Sequence, residues 1–175
     1  NPLSPSVAGP IPGVVISAPK AVQPADGAKI AVDQQPIAIV LENASTTGVR
    51  PLGYDVDIAT DAAFANKVFA RGGVTPGDGG RTALKLPDTL ATGRTYYWRV
   101  RADDGANAGP YTTAAFTVFT PIVIDVPALV TPASNSTADS LRPRFVVADA
   151  TRSGPVGALT SKPFRYSART WELSR

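Results

Sequence analysis

Apolar and polar residues alternate along several short stretches of the chain, and turn-forming residues separate these stretches. Alternation with a period of two is typical of a β-strand that buries one face. The clearest example is residues 96–102, where Tyr96, Trp98 and Val100 fall on one side. The same pattern predicts strands over residues 35–41, 54–58, 67–71, 82–86 and 113–119. Short strands at this spacing indicate an all-β sandwich over residues 19–120.

The stretch between two of these strands allows a second interpretation. Residues 61–70 are rich in Ala, and Asp61 could cap a helix. The stretch is short and lies between predicted strands. We therefore interpret it as a turn around Phe64 followed by a strand, with a helical turn as the open alternative.

Two other segments lack a strand pattern. Residues 1–18 contain repeated Pro, which removes backbone donors and predicts a linker, although Val14, Val15 and Ile16 could form a first edge strand. Residues 72–80, with the sequence GGVTPGDGG, are rich enough in Gly to predict a loop.

Composition narrows the chemistry available to the chain. There is no Cys and no His, which sets aside zinc, iron–sulfur and copper sites as well as Ser–His and Cys nucleophiles. The 17 Lys and Arg and 14 Asp and Glu are spread along the chain, a pattern that does not favour nucleic-acid binding. No apolar run approaches the roughly 20 residues of a membrane-spanning helix. We predict no cofactor, no nucleic-acid partner and no membrane span.

The stretch LATGRTYYWRVRADDGANAGPYTTAAFTVFT, residues 90–120, resembles the last third of a bacterial fibronectin type III domain. Leu90, Gly93 and Tyr96 match the spacing of the tyrosine corner in that family, in which a Tyr hydroxyl bonds to the preceding loop. Residues 53–64 resemble the third strand and following turn of such modules. The resemblance implies a fibronectin type III-like, immunoglobulin-like β-sandwich.

This sequence departs from the family in its second strand, which carries Ile37 and Ile39 where a Trp is common. We expect Trp98 to fill that space from the opposite sheet and to be part of the core, with a ligand platform as the alternative. The predicted core consists of Tyr54, Val56, Ile58, Leu84, Leu86, Leu90, Tyr96, Trp98, Val100 and Phe116.

A second resemblance is internal to the chain. Residues 19–48 are echoed by residues 127–154, at a period of about 107 residues that suits one sandwich module. After Leu159 the sequence becomes basic and loses its strand period. We therefore predict that residues 121–175 form a linker and an incomplete second module, truncated or altered after Leu159.

The best candidate ligand surface is an aromatic and basic stripe. Tyr97, Arg99 and Arg101 should project from the exposed face of one strand, with Tyr111 close by. Aromatic rings in such a stripe could stack on sugar faces. Exposed Tyr is also favoured in strands by propensity, so a structural interpretation stays open.

Acidic residues suggest two further sites. Asp55 and Asp57 should project from an exposed strand face, where they could form a hydrolase carboxylate pair or simply pair across strands with Arg99 or Arg101. The loop that contains Asp103, Asp104 and Asn107 could offer oxygen ligands to calcium, although these residues are also ordinary turn formers. We predict no metal site and no catalytic residue.

These patterns favour a structural role over catalysis. We expect a structural spacer or protein-interaction module of a secreted or cell-surface multi-domain bacterial protein. Its partners would be neighbouring domains of the same polypeptide, or protein or polysaccharide at the cell surface. The alternative is a carbohydrate-binding accessory module of a polysaccharide-degrading enzyme.

Overall fold

The computed structural model describes residues 9–137, 142 and 144–154. The chain divides into two compact units, Asn1–Phe119 and Thr120–Arg175. The described part of the first unit holds eight strands and two short 3-10 helices, Val32–Gln34 and Asp78–Gly80. The strands are β1 (Lys20–Gln23), β2 (Ala28–Ala31), β3 (Ala38–Glu42), β4 (Gly53–Ala59), β5 (Lys67–Val74), β6 (Arg81–Lys85), β7 (Arg94–Asp103) and β8 (Thr112–Phe119).

These strands form two sheets. One has the order β1-β3-β6 and the other the order β2-β8-β7-β4-β5. Neighbouring strands are antiparallel except for β2 and β8, which run parallel. The first unit is thus an all-β sandwich of the fibronectin type III-like, immunoglobulin-like kind, and the predicted fold class is confirmed.

The core lies between the sheets, as the alternating pattern predicted. Of the ten predicted core residues, nine are buried and Leu90 is partly buried against them. Trp98 is completely buried, and its indole nitrogen donates a hydrogen bond to the Pro24 carbonyl at 3.2 Å. The prediction that Trp98 belongs to the core is confirmed. The three-stranded sheet adds the buried side chains of Ile39 and Leu41.

Three local predictions can be compared directly with the structure. The stretch after Asp61 is a turn followed by β5, and the helical alternative is wrong. Val14–Ile16 form no strand, because Ile16 makes only an isolated bridge to Thr46. Ile16 is nevertheless buried in the core, so part of the predicted linker packs on the sandwich.

The prediction of a loop over residues 72–80 is wrong at its start, because β5 continues through Gly72 and Gly73 to Val74. A Cβ on Gly72 would lie 3.0 Å from the Asp55 carboxylate, so a side chain at this position would crowd the carboxylate. Gly73 has a φ of 65°, which a side chain would disfavour.

Two hydrogen-bonded clamps fix the loop before β7. The Tyr96 hydroxyl donates to the Ala91 carbonyl at 3.0 Å, which is the geometry of a tyrosine corner. Gly93 supports this tight loop with a φ of 73°. The side chain of Gln35, which follows the 3-10 helix Val32–Gln34, accepts from the Leu90 amide at 2.6 Å and donates to the Leu90 carbonyl at 2.9 Å.

Replacing Tyr96 with Phe tests the corner bond. The change removes only the hydroxyl and leaves the stacking on Phe116, whose ring centroid lies 5.7 Å away. We expect the free energy of unfolding to fall by about 1 kcal/mol, the usual net value of one hydrogen bond. Urea denaturation followed by circular dichroism measures this change. Tyr97→Phe is the matched control on the same strand, and equal midpoints for the two variants would contradict the clamp.

The second unit contains four short strands among its described residues. They are β9 (Val123–Ile124), β10 (Leu129–Thr131), β11 (Val146–Val147) and β12 (Arg152–Ser153). β9 pairs with β12 and β10 pairs with β11, both antiparallel. The predicted alteration after Leu159 lies outside the described residues.

Candidate functional site

The outer face of the five-stranded sheet gathers most of the candidate site residues. Because Tyr96, Trp98 and Val100 point inward, Tyr97, Arg99 and Arg101 of β7 lie on the opposite face. β4 runs alongside in a register that places Asp57 opposite Arg99 and Asp55 opposite Arg101. The strand register therefore brings two carboxylates directly to the two guanidinium groups.

Each carboxylate is engaged by these cations. Arg99 donates to Asp57 Oδ2 through Nε and lies within 2.9 Å through Nη2. Lys67, from β5, adds a second ion pair to the same oxygen at 3.0 Å. Arg101 donates to Asp55 Oδ2 through Nε at 3.1 Å and Nη2 at 3.0 Å. Of the two roles considered for Asp55 and Asp57, cross-strand pairing is the one the structure contains.

Aromatic rings cover the same guanidinium groups. The Arg99 Cζ lies 4.4 Å from the Phe64 ring centroid and 4.3 Å from that of Tyr111. The Arg101 Cζ lies 5.0 Å from the Tyr111 centroid. These distances are suited to cation–π attraction. We call this set the outer-face cluster; it consists of Asp55, Asp57, Phe64, Lys67, Arg99, Arg101 and Tyr111.

A capped turn positions Phe64 in this cluster. The Asp61 carboxylate accepts hydrogen bonds from the Ala65 amide at 3.1 Å and the Asn66 amide at 2.7 Å. Phe64 itself has a φ of 57°, an unusual conformation for a bulky residue. Sequence reasoning placed a turn here but missed the contact with Arg99, since only the folded turn directs the ring across the sheet.

The cluster bears directly on the predicted sugar surface. Tyr97 is half-buried between the neighbours Ala59 and Ala115, while Tyr111 is 38% exposed. Two guanidinium groups already lie over the Tyr111 ring, so a sugar stacked on that surface would have to displace a cation. The adjacent groove is polar and is lined by Asp55, Asp57, Lys67, Arg71, Arg101 and Tyr111, among others.

The hydrolase hypothesis requires a carboxyl group whose pKa is raised. The expectation that Asp57 is exposed is wrong. Asp57 is only 8% exposed, and its carboxylate is ion-paired with Lys67 and Arg99. Burial acts to raise its pKa, but hydrogen bonds and charge attraction from Lys67 and Arg99 outweigh that effect and hold the pKa below its ordinary value. This is the opposite of what a general acid needs.

The lowered pKa predicts how stability depends on pH. A carboxyl whose folded pKa lies below its unfolded value, about 3.9, stabilises the fold above that pH and loses this contribution as pH falls through the folded value. We therefore expect Asp57→Asn to lower the free energy of unfolding more at pH 7 than at pH 2.5. Denaturation at the two pH values measures the difference. Asp33→Asn, in the exposed 3-10 helix, is the control, and a pH-independent effect of Asp57→Asn would contradict the prediction.

The loop considered for calcium is already held by internal bonds. Asp104 Oδ1 accepts from the Ala106 amide at 2.9 Å and the Asn107 amide at 2.6 Å, and these bonds lower the Asp104 pKa. The Asn107 side chain bonds to both the amide and the carbonyl of Ile11. Among the side-chain nitrogen and oxygen atoms of the described residues, only Asp104 Oδ2 is buried without a hydrogen-bond partner. These residues act as turn formers that anchor the N-terminal segment.

The described ranges hold no group of three or more Cys, His, Asp or Glu side chains placed to bind a metal ion. Within the same ranges no helix is both long and apolar enough to cross a membrane.

A weak structural likeness to a known protein accompanies the absence of sequence matches. No protein-family model and no curated protein sequence matches the chain. The crystal structure of the chicken CNTN1 FN1-FN3 domains matches with 15% identity and a TM-score of 0.34. The match covers 90% of this chain and 53% of the chicken chain, so this chain spans about half its length. The fold of the first unit is therefore assigned from its own strand order.

Proposed function

We propose that the first unit is a non-catalytic spacer or protein-interaction module of a secreted or cell-surface multi-domain protein of bacterial type. The observation that carries this proposal is where the chain enters and leaves the sandwich. At one end the Thr112 hydroxyl, at the start of β8, donates to the Pro19 carbonyl. At the other end Phe119, the last residue of β8, pairs with Ala31. The polypeptide therefore enters beside one end of β8 and leaves from the opposite end.

This arrangement gives a module the length that a spacer needs. β8 has eight residues, so its ends are about 23 Å apart at the usual rise of a strand. The five-stranded sheet and the tyrosine corner hold the two ends of β8 at that distance. Neighbouring domains attached at the two ends would be held apart by a folded body, in contrast to a flexible linker.

The outer-face cluster supports the same proposal. Its carboxylates are ion-paired and its cations are covered by aromatic rings, so these groups stabilise the sheet surface. A secreted or cell-surface location and a bacterial origin are supported by the resemblance of residues 90–120 to modules of exported bacterial proteins. Partners on this proposal are the adjacent domains of the same polypeptide.

A distance measurement tests the spacer role. The sequence contains no Cys, so Ala18→Cys and Phe119→Cys, both at exposed positions, allow two spin labels to be attached specifically. We expect a single narrow distance distribution centred near the length of β8, about 23 Å before label length is added. A broad distribution, or one far shorter, would contradict a rigid spacer. A pair at Thr112→Cys and Phe119→Cys calibrates the length of β8 itself.

The carbohydrate-binding alternative is tested on the same chain. On the spacer proposal, insoluble polysaccharides retain neither the unaltered chain nor the Tyr97→Ala variant. Retention that Tyr97→Ala or Tyr111→Ala abolishes, while circular dichroism shows that the variant is still folded, would replace the spacer with a sugar-binding module.

A further inference from the structure

β5 forms one edge of the five-stranded sheet. The order β2-β8-β7-β4-β5 leaves one side of β5 without a neighbouring strand among the described residues. β5 has eight residues, whereas the other edge strands of the two sheets, β1, β2 and β6, have four, four and five. Backbone groups on the outer side of an edge strand are free to pair with a further strand. β5 is therefore the longest open edge of the sandwich.

The side chains of β5 leave this edge accessible. Six of its eight residues are exposed, and Val68 keeps 48% of its surface in solvent. Phe69 packs against the core from its place opposite Ile58, so it anchors the strand to the sandwich. Gly72 and Gly73 have no side chain that could obstruct another backbone. An extended chain can therefore approach β5 over most of its length.

Positive charge is in excess along this edge. The carboxylates of Asp55 and Asp57 already bond to the two arginines of β7. Lys67 shares the Asp57 carboxylate and keeps 40% of its side chain exposed. Arg71 is exposed, lines the adjacent groove and makes no ion pair, hydrogen bond or ring contact within the described ranges. Four cations thus face two carboxylates, and Arg71 is the cation without a partner there.

We propose that β5 binds an extended segment of a partner protein, which carries acidic side chains and adds to the sheet as a further strand. Backbone hydrogen bonds to the open edge hold the segment, as in other cases of β-strand addition. Its carboxylates pair with Arg71 and with the exposed part of Lys67. The proposal rests on the protein-interaction part of the proposed function, and the spacer role is independent of it.

Charge selects this partner over the chain itself. Antiparallel pairing of two copies of β5 brings Lys67 and Arg71 of one copy close to those of the other, and like charges across a strand pair are destabilising. Residues 155–175 contain four Lys and Arg and one Glu, so they are repelled by the same edge. The irregular register at Gly72 and Gly73 further discourages unspecific pairing, as bulges on edge strands do. An acidic strand is the partner that meets these conditions.

Fluorescence anisotropy with a labelled peptide tests the proposal. The probe is a peptide of alternating Glu and Val with the eight-residue length of β5, and the full chain is titrated into it. We expect Arg71→Glu to weaken binding by about tenfold or more, because it replaces an attractive charge with a repulsive one. Lys29→Glu is the matched control, since it makes the same charge reversal on β2, at the opposite edge of the sheet. It should leave binding unchanged.

A peptide with a blocked backbone separates strand addition from charge attraction alone. The same sequence with N-methyl groups on its central residues keeps its charge but loses the amide donors that a strand needs. We expect this peptide to bind about tenfold more weakly or worse. The proposal is overturned if the two peptides bind equally, if Arg71→Glu and Lys29→Glu weaken binding alike, or if the acidic peptide does not bind. The distance between spin labels tests the spacer role separately.

Maleimide labelling locates the peptide without altering a charge. The chain has no Cys, so Val68→Cys introduces a single thiol on β5. Saturating acidic peptide should slow its labelling, while Val32→Cys, at a position that is 40% exposed in the first 3-10 helix, should react at an unchanged rate. An oligomer of galacturonic acid represents an acidic polysaccharide. Protection of Val68→Cys by this oligomer and not by the peptide would assign the edge to a sugar, and unchanged labelling with the peptide would contradict strand addition; both results overturn the proposal.

Discussion

Trp98→Ala is expected to lower the free energy of unfolding of the first unit by about 3–5 kcal/mol, the range found when a large buried aromatic is truncated. Trp98 is completely buried at the centre of β7, and Tyr54, Phe116 and Ile39 of the same core are large and buried too. The change opens a cavity that this packed core can close only in part. It also leaves the buried Pro24 carbonyl without the indole donor at 3.2 Å.

Urea denaturation followed by circular dichroism measures the loss. Tyr97→Ala is the matched control, since it truncates the adjacent aromatic on the outer face of the same strand, where Tyr97 is only half-buried. We expect a clearly smaller loss for the control. Equal losses would show that the two faces of β7 contribute alike and would contradict a core placed on the Trp98 side.

Arg99→Met is expected to lower the free energy of unfolding by about 2 kcal/mol, within the range for hydrogen bonds to charged groups. The variant keeps an unbranched apolar stem but removes both bonds to Asp57 and the guanidinium contacts over Phe64 and Tyr111. Asp57 is then left mostly buried with Lys67 as its ion-pair partner. The change is costly because the mostly buried Asp57 carboxylate loses one of its two positively charged partners.

Arg94→Met is the control for this substitution, because Arg94 is exposed at the start of the same strand. Its effect should stay within about 0.5 kcal/mol, as for most surface changes. A double-mutant cycle of Arg99→Met with Asp57→Asn then isolates the coupling between the two side chains. Additive effects would mean that the pair does not stabilise the sheet.

Alternation along the chain specified most of the sandwich. Tyr96, Trp98 and Val100 point inward because a period of two must place every second side chain on one face of β7. The same rule predicted the buried sides of β4 and β6. The period does not show which strands become neighbours, so the pairing of Asp57 with Arg99 could be offered only as an alternative.

Other features depended on the folded arrangement. β1 and β2 carry no clear alternation and were not predicted; they form because neighbouring strands supply their hydrogen bonds. β5 runs through Gly72 and Gly73 as an irregularity in the register between the pairs Val56–Arg71 and Tyr54–Val74, a place where Gly is tolerated in a strand. Phe64 reaches Arg99 through a turn whose conformation leaves no periodic trace in the sequence.

The internal repeat shows the same division. The matching prolines and glycines of residues 19–48 and 127–154 were readable as sequence, since identical turn residues impose similar local conformations. Only the tertiary structure shows that the two copies share one strand register. It also shows that they differ in burial, since Leu41 is buried and Val147 is exposed. Local hydrogen bonds shape a strand pair by themselves, whereas burial requires a second sheet from residues far away in the chain.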